Sequence, residues 1–277
     1  AGDFQKAIKI AGVCEKFLSR NPSFGDNSKK VAIALFKLEC YARLMDYENG
    51  RQVAESTMKL FVEGSPEWFH LLESYFSLAL STGNYINAAG LYMKAVNDKR
   101  FSQCHEDVKE KWRIFEAYLF YAFKAEELDD RLLKRGQQGK FKIGRFLSEV
   151  PTYSKDKRGY NVAILLAQML HQLEDGDYSG IINRVEALSV YCSRYLRKNE
   201  SVRSYYFLKM MLTMEKENFD HKRTARKAEK FLTKIKAHQK EEKESTAEWE
   251  IIPYETIWGM VLRRLKNRLV SPALIVD

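Results

Sequence analysis

Apolar residues recur at three- and four-residue intervals along most of this chain, the spacing that gathers side chains on one face of an α-helix. Val31, Leu35, Leu38 and Ala42 form one such stripe. Ser65 followed by Pro66 reads as an N-cap and a first helical residue, and Phe69, Leu72, Tyr75 with Phe76, and Ala79 continue from it. The stretch NVAILLAQMLHQL, residues 161 to 173, is apolar on nearly every side and predicts a helix buried between neighbours. From 202 the stripe widens to Val202, Tyr205 with Tyr206, Lys209, and Leu212 with Thr213. The only strand candidate is the apolar run ALIV near the C-terminus.

A short phrase punctuates these stripes: a small or polar residue, then Asp or Asn, then an aromatic. Its aromatics are Phe4, Tyr47, Tyr85, Tyr178 and, more loosely, Phe219, with gaps of 43, 38, 93 and 41 residues. The long gap has room for two units with one phrase worn away. A recurrence near 40 residues is the mark of stacked helical hairpins. Gly or Asn ends one helix in a left-handed conformation, Asp or Asn caps the next, and the aromatic wedges between them. The chain opens on this phrase as AGDFQKAI, so Gly2-Asp3-Phe4 reads as the turn into a second helix whose partner precedes it. That predicts a cut edge with an apolar side exposed around Ile8, Ile10 and Val13.

GNYINAAGLYMKAV carries Gly83, Tyr85, Ala88, Tyr92 and Ala95, and in this it resembles the second helix of a tetratricopeptide repeat. Gly2, Phe4 and Ala7 keep part of the same pattern, whereas Gly50 and Ile181 stand where the family has Ala. The units are longer than the family's 34 residues. The stretch from RFLSEVPTYSKDKRG to about residue 236 is similar to a family of bacterial tetratricopeptide-like proteins to which no activity attaches. The resemblance implies an all-α, right-handed α-solenoid of five to six hairpins. Residues 1–130 and 161–238 would form the hairpins, 131–160 a basic interruption, and 239–277 a linker with a C-terminal capping helix.

Composition narrows the function classes. The 277 residues are 45% apolar and 13% aromatic, with five prolines and fourteen glycines, which is ample for a core and unlike a turn-dense β fold. No apolar run reaches the ~18 residues of a membrane span. Cys14, Cys40, Cys104 and Cys192 are scattered and read as buried thiols rather than a disulfide frame. An Asn-Glu-Ser acceptor at 199–201 is the sole hint of secretion, so the expected location is the cytoplasm.

Charge is local. Residues 131–160 hold nine basic and two acidic residues, +7, and residues 220–243 nine basic and four acidic, +5. Together these +12 exceed the +9 of the whole chain, leaving −3 for the rest. Such concentration suits a polyanion partner, with Lys134, Arg135, Lys140, Lys142, Arg145, Lys155, Lys157 and Arg158 in the first stretch. In the second, Arg223, Lys227, Lys230 and Lys234 fall within about 60° on a helix, opposite Ala228, Phe231, Leu232 and Ile235. A solvated helix face has the same pattern. Nucleic-acid binding adds aromatic platforms, and here only Phe141, Phe146, Tyr153 and Tyr160 interleave with the basic residues.

Catalytic signatures are missing from the sequence. GQQGK at 136–140 is too short for a phosphate loop and has Phe141 where Ser or Thr is needed. The five histidines, His70, His105, His171, His221 and His238, lack paired metal-ligand spacing. EELDD at 126–130 reads as a charged turn at a helix end. No cofactor or metal is implied. Near the C-terminus Pro253 starts a helix with Ile257, Val261 and Leu265 as its stripe, flanked by Trp258, Leu262 and Leu269. Arg263, Arg264, Lys266 and Arg268 crowd its last turns, where cations suit the helix dipole. This helix is either a cap over the last hairpin or a basic amphipathic segment for a membrane surface or partner groove.

The expected function is a non-catalytic scaffold that holds a protein or peptide segment on its inner surface. The family's groove-lining spacing selects His70, Glu73 and Ser77 on one unit, with Glu39 and Arg43 on the unit before. The alternative is nucleic-acid or other polyanion binding through 134–158 and 223–234.

Overall fold

The computed structural model describes residues 2–21, 23, 26–133, 146, 158–185, 202–238 and 250–268. Eleven helices and no strand are found among them: α1 (Gly2–Arg20), α2 (Asn27–Arg43), α3 (Tyr47–Met58), α4 (Pro66–Ser81), α5 (Tyr85–Val96), α6 (Glu106–Ala125), α7 (Arg158–Asp175), α8 (178–185), α9 (Val202–Lys216), α10 (His221–His238) and α11 (Tyr254–Arg268). The protein is all-α. ALIV, the strand candidate, lies outside the described residues.

The chain divides into two compact units, residues 1–112 with 129–140, and 113–128 with 141–277. In the first unit each helix from α1 to α5 packs on the next, and α2 also packs on α4. That last contact sets two helices that are not successive in the chain against each other. The predicted α4 stripe, Phe69, Leu72, Tyr75, Phe76 and Ala79, is buried throughout, while on α2 Val31 and Leu38 are buried and Leu35 and Ala42 half-buried. Tyr85, Ala88, Tyr92 and Ala95 on α5 are all buried. At Gly50 a Cβ would stand 2.4 Å from Leu78 Cδ2 and 3.2 Å from Tyr41 Cβ, so α3 approaches closer than any side chain allows. Trp112, at the end of this unit, is enclosed by Phe76, Tyr92 and Phe101 with ring centroids 5.3 to 6.5 Å away.

The second unit is organised around α7, buried on nearly all sides as its composition predicts. Tyr118 Oη on α6 donates to Ala163 O at 3.0 Å, and His171 Nε2 donates to Ala117 O at 2.8 Å. α9 packs on α10, α10 on α11, and α11 on α7. Ile257, Val261 and Leu265 of α11 are buried as one stripe. Of its terminal basic residues, Arg263 pairs with Glu126, and Arg264 donates to Leu173 O at 3.3 Å and Glu174 O at 3.0 Å. These carbonyls lie in the last turn of α7, where the helix dipole is negative. Leu269 lies outside the described residues, as does the side chain of Arg268.

The helix-ending turn has one hydrogen-bond pattern at five places. A left-handed residue bonds back three positions and its successor bonds back five, the pattern of a Schellman cap. The pairs are Met45 and Asp46, Gly83 and Asn84, Glu127 and Leu128, Gly176 and Asp177, and Asn218 and Phe219. Four of these turns coincide with the sequence phrase. The fifth, at Glu127, falls inside the 93-residue gap, within the acidic run EELDD. After three of them an aspartate caps the next helix: Asp46 accepts from Asn49 N, Asp177 from Gly180 N and Asp220 from Arg223 N, at 3.2, 2.8 and 2.7 Å. Asn84 makes no such cap; its Nδ2 donates to Thr82 Oγ1 at 3.0 Å.

The cysteines correct one expectation. Cys40 is buried and its thiol pKa is raised by burial, but Cys14 is exposed and Cys104 intermediate. Cys192 lies outside the described residues.

Candidate functional site

α9 and α10 follow one another through the turn at Asn218–Phe219 and pack along their lengths. α9 is buried on most of its circumference, with Tyr206, Phe207, Leu208, Met210, Met211 and Met214 inside. The stripe that sequence periodicity picks out is split: Tyr206 and Leu212 are buried, whereas Val202, Tyr205, Lys209 and Thr213 form the least buried face of the helix. Residues on that face open into a cleft of about 500 Å³. Tyr205, Tyr206, Lys209, Leu212, Thr213 and Lys216 line it from α9, Phe231 and Lys234 from α10, and Val185 from α8.

Basic and aromatic groups alternate along the cleft. The Tyr206 and Phe231 rings stack with centroids 6.1 Å apart and planes 26° apart, and Tyr205 meets Tyr206 edge-on at 5.3 Å. Lys209 Nζ stands 5.3 Å from the Tyr205 centroid, and Lys234 Nζ 5.6 Å from that of Tyr206. Just outside the lining, Lys230 Nζ lies 4.9 Å from the Phe231 ring. No carboxylate lines the cleft among the described residues. The ammonium groups therefore face ring quadrupoles rather than counter-charges. An arriving anion can contact them without breaking an ion pair, and the contact strengthens as water leaves. Thr213 Oγ1 donates to Lys209 O at 2.8 Å, which fixes the hydroxyl to its own helix.

The polyanion residues expected from sequence fall in two groups. Arg223, Lys227, Lys230 and Lys234 are all exposed on α10, with Ala228 and Ile235 buried behind them and Phe231 and Leu232 half-buried. Lys234 joins this face to the cleft. Arg223 is held by Asp220, 3.6 Å away. Lys134, Arg135, Lys140, Lys142, Arg145, Lys155 and Lys157 lie outside the described residues, as does the side chain of Arg158.

The expected peptide groove falls in the first unit. Glu39 and Arg43 are exposed on α2, and His70 is exposed on α4. Glu73 and Ser77 are half-buried, and Glu73 is paired with Lys111 of α6. A second cavity of about 540 Å³ opens between α1 and α2, lined almost wholly by apolar groups such as Val13, Phe17, Leu18 and Ile33. Ile10, Val13 and Phe17 beside it are more than half exposed.

One cluster that sequence reasoning missed is a buried ion network beside the cleft. Arg203 on α9 is 3% exposed. Its Nε and Nη2 donate to the Glu250 carboxylate at 2.8 and 2.7 Å, its Nη1 and Nη2 to that of Glu255 at 3.1 and 2.8 Å, and its Nη1 to Ile235 O at 2.9 Å. All five guanidinium protons are thus used. Burial alone would lower the Arg203 pKa, but the hydrogen bonds from two carboxylates hold it above its ordinary value. One guanidinium serves two acids. Burial pushes the Glu250 carboxyl up, whereas in Glu255 the bonds to Arg203 outweigh burial and hold it down.

Comparison with protein-family models, with curated proteins and with solved structures returns no match for this chain. No helix among the described residues is long and apolar enough to cross a membrane.

Proposed function

We propose that this chain is a non-catalytic binding protein built from stacked helical hairpins in the manner of a tetratricopeptide-like solenoid, and that its ligand is a polyanion. The observation that carries this reading is the α9–α10 cleft, lined by Lys209, Lys216 and Lys234 and by three aromatic rings, with no carboxylate in its lining among the described residues. The basic face of α10 continues from the cleft through Lys230 and Lys227. A solvated lysine face needs no rings behind it; a recognition cleft uses both. The sequence pI near 9.2 adds long-range attraction for an anionic partner.

Salt dependence tests the reading directly. Binding of labelled heparin to the full chain, followed by fluorescence anisotropy, is expected to weaken steeply as salt rises, because each phosphate or sulfate contact releases counterions. Absence of binding at ~50 mM salt, where such contacts are strong, refutes it.

A second reading is a peptide groove on the first helices of the hairpins. It is favoured by the packing of α2 on α4, with Glu39, Arg43 and His70 exposed on those two helices. Joint substitution of Arg43 and His70, both exposed, then removes a partner without lowering the melting temperature, whereas Glu73 is left in place because it is paired with Lys111. An unchanged pull-down profile counts against the groove.

A further inference from the structure

We infer that the α9–α10 cleft takes an unpaired nucleotide, so that the polyanion is a single-stranded nucleic acid and Tyr205 is its stacking platform. The inference rests on the polyanion reading and narrows it.

Three features select this ligand over other anions. First, the cleft is concave and of ligand size: about 500 Å³ falls within the ~300–1,000 Å³ of small-molecule pockets. Duplex backbones need no such recess, since their bases are stacked and out of reach. Second, the aromatic groups differ in exposure. Tyr206 is buried and stacks on Phe231, which gives the wall rigidity, whereas Tyr205 is half-buried and lines the cleft. An unpaired base has a π-face to lay on that ring; a sulfated sugar or an acidic side chain has none. Third, each ring is accompanied by an ammonium group: Lys209 over Tyr205, Lys234 over Tyr206 and Lys230 over Phe231. A nucleotide carries a π-system and a phosphate on one short frame, and this pairing repeats that arrangement in complement.

The polarity of the groove extends the site beyond one nucleotide. Lys227, Lys230 and Lys234 follow one another along the exposed side of α10 over seven residues, roughly 10 Å of helix axis. Phosphates flanking the stacked base meet this row, while Lys209 and Lys216 serve the base-proximal side. Phosphate contacts of this kind are indifferent to sequence, and stacking tolerates every base. The expected ligand is a single strand of no strict sequence.

The test uses the full chain and fluorescence anisotropy with a labelled 12-nucleotide oligo(dT), a random-sequence single strand of that length, the matching duplex, heparin and polyglutamate. Both single strands are expected to bind more tightly than the duplex and polyglutamate. Tyr205→Ala is expected to weaken single-strand binding roughly 5- to 150-fold, the range for losing one stacked base, while leaving heparin binding within about twofold. Tyr205→Phe, which keeps the ring, restores the affinity. Lys234→Ala lowers the slope of log affinity against log salt by about 0.7, the single-strand value for one phosphate contact. Lys6→Ala, which removes one exposed charge from the first unit, leaves the slope unchanged. Melting curves exclude unfolding as the cause of any loss.

The failures separate. If no polyanion binds at low salt, the polyanion reading falls and this inference with it. If heparin or duplex binds as well as the single strands, or Tyr205→Ala affects all ligands alike, the polyanion reading stands and the nucleotide cleft is overturned. Equal binding of polyglutamate assigns the cleft to an acidic peptide and overturns it as well.

Discussion

Replacing Arg203 by methionine removes the guanidinium and nearly preserves the volume of the side chain, so the change isolates its bonds. Four of those bonds join Arg203 to Glu250 and Glu255, and a fifth satisfies the carbonyl of Ile235. The variant leaves two acidic groups facing one another without their shared cation. Removing one partner of a buried ion pair costs about 3–5 kcal/mol. Glu250 and Glu255 keep 17% and 21% of their side-chain surface, which lets water reach them and places the expected loss near the lower end, ~3 kcal/mol. Against a total stability of about 5–15 kcal/mol that is a large fraction. Urea denaturation followed by circular dichroism measures it. A local signature accompanies it: the Tyr254 amide, which donates to Glu250 Oε1 at 2.7 Å, exchanges its hydrogen faster. The triple variant Arg203→Met, Glu250→Gln, Glu255→Gln removes both signs of charge and recovers at least half of the loss, because the penalty belongs to the stranded carboxylates. A loss below ~1 kcal/mol for Arg203→Met, or a triple variant no more stable than the single one, refutes the reasoning.

Gly50→Ala is expected to destabilise by about 1–3 kcal/mol because its methyl group would overlap the buried Leu78, whereas Gly90→Ala, with nothing within 4 Å of the new carbon, stabilises by ~0.5–1 kcal/mol through helix propensity; paired melts check the opposite signs. Glu127 has φ +53°, so Glu127→Gly is expected to stabilise by about 1 kcal/mol and Glu127→Val to destabilise, both read by denaturant midpoints. Burial lowers the His171 pKa to about 4, against a small opposing pull from the Ala117 carbonyl and Asp175 and with Lys124 reinforcing it. The unfolded chain therefore binds the proton first, at its ordinary pKa near 6.5. Stability attributable to His171 is complete above that value and falls by ~3 kcal/mol as the pH drops to about 4. His171→Gln should flatten this part of the stability–pH curve, and an unaltered curve counts against it.

Much of the helical layout was legible from periodicity. The stripes on α2, α4 and α11 and the all-round burial of α7 follow from residue type at helical spacing alone. The turns were legible where an Asp or Asn stood next to an aromatic, even with Met45 as the left-handed residue, and illegible at Glu127, where the same hydrogen bonds form but Leu128 follows and no aromatic stands beside it. α9 is the instructive miss. Its stripe of Val202, Tyr205 with Tyr206, Lys209, and Leu212 with Thr213 has helical spacing, yet only Tyr206 and Leu212 of it are buried, and the other four residues make up the face least enclosed by neighbours. In a helix rich in apolar residues all round, periodicity marks no unique inner side.

The site was legible only in part. Local excess of Lys and Arg over 220–243 pointed to α10, but the aromatic partners came from α9, and the stretch 134–158 lies outside the described residues. The single arginine within VRSYYFLKMML and the two glutamates around IIP were the available signal for the buried network. Their pairing spans 47 to 52 residues and has no local periodicity to betray it.

By itself the sequence determined that this chain is helical, where many helices begin and end, and where its positive charge is concentrated, since each of these depends on neighbours within a few residues. Tertiary packing alone decided which face of α9 meets solvent, that Arg203 shares its five donors between Glu250, Glu255 and Ile235, and that Tyr205 stands beside Lys209 in a cleft closed by Phe231 and Lys234. The reason is range: helix formation is settled by bonds four residues apart, whereas a cleft exists only once helices distant in the chain have excluded water from the same volume.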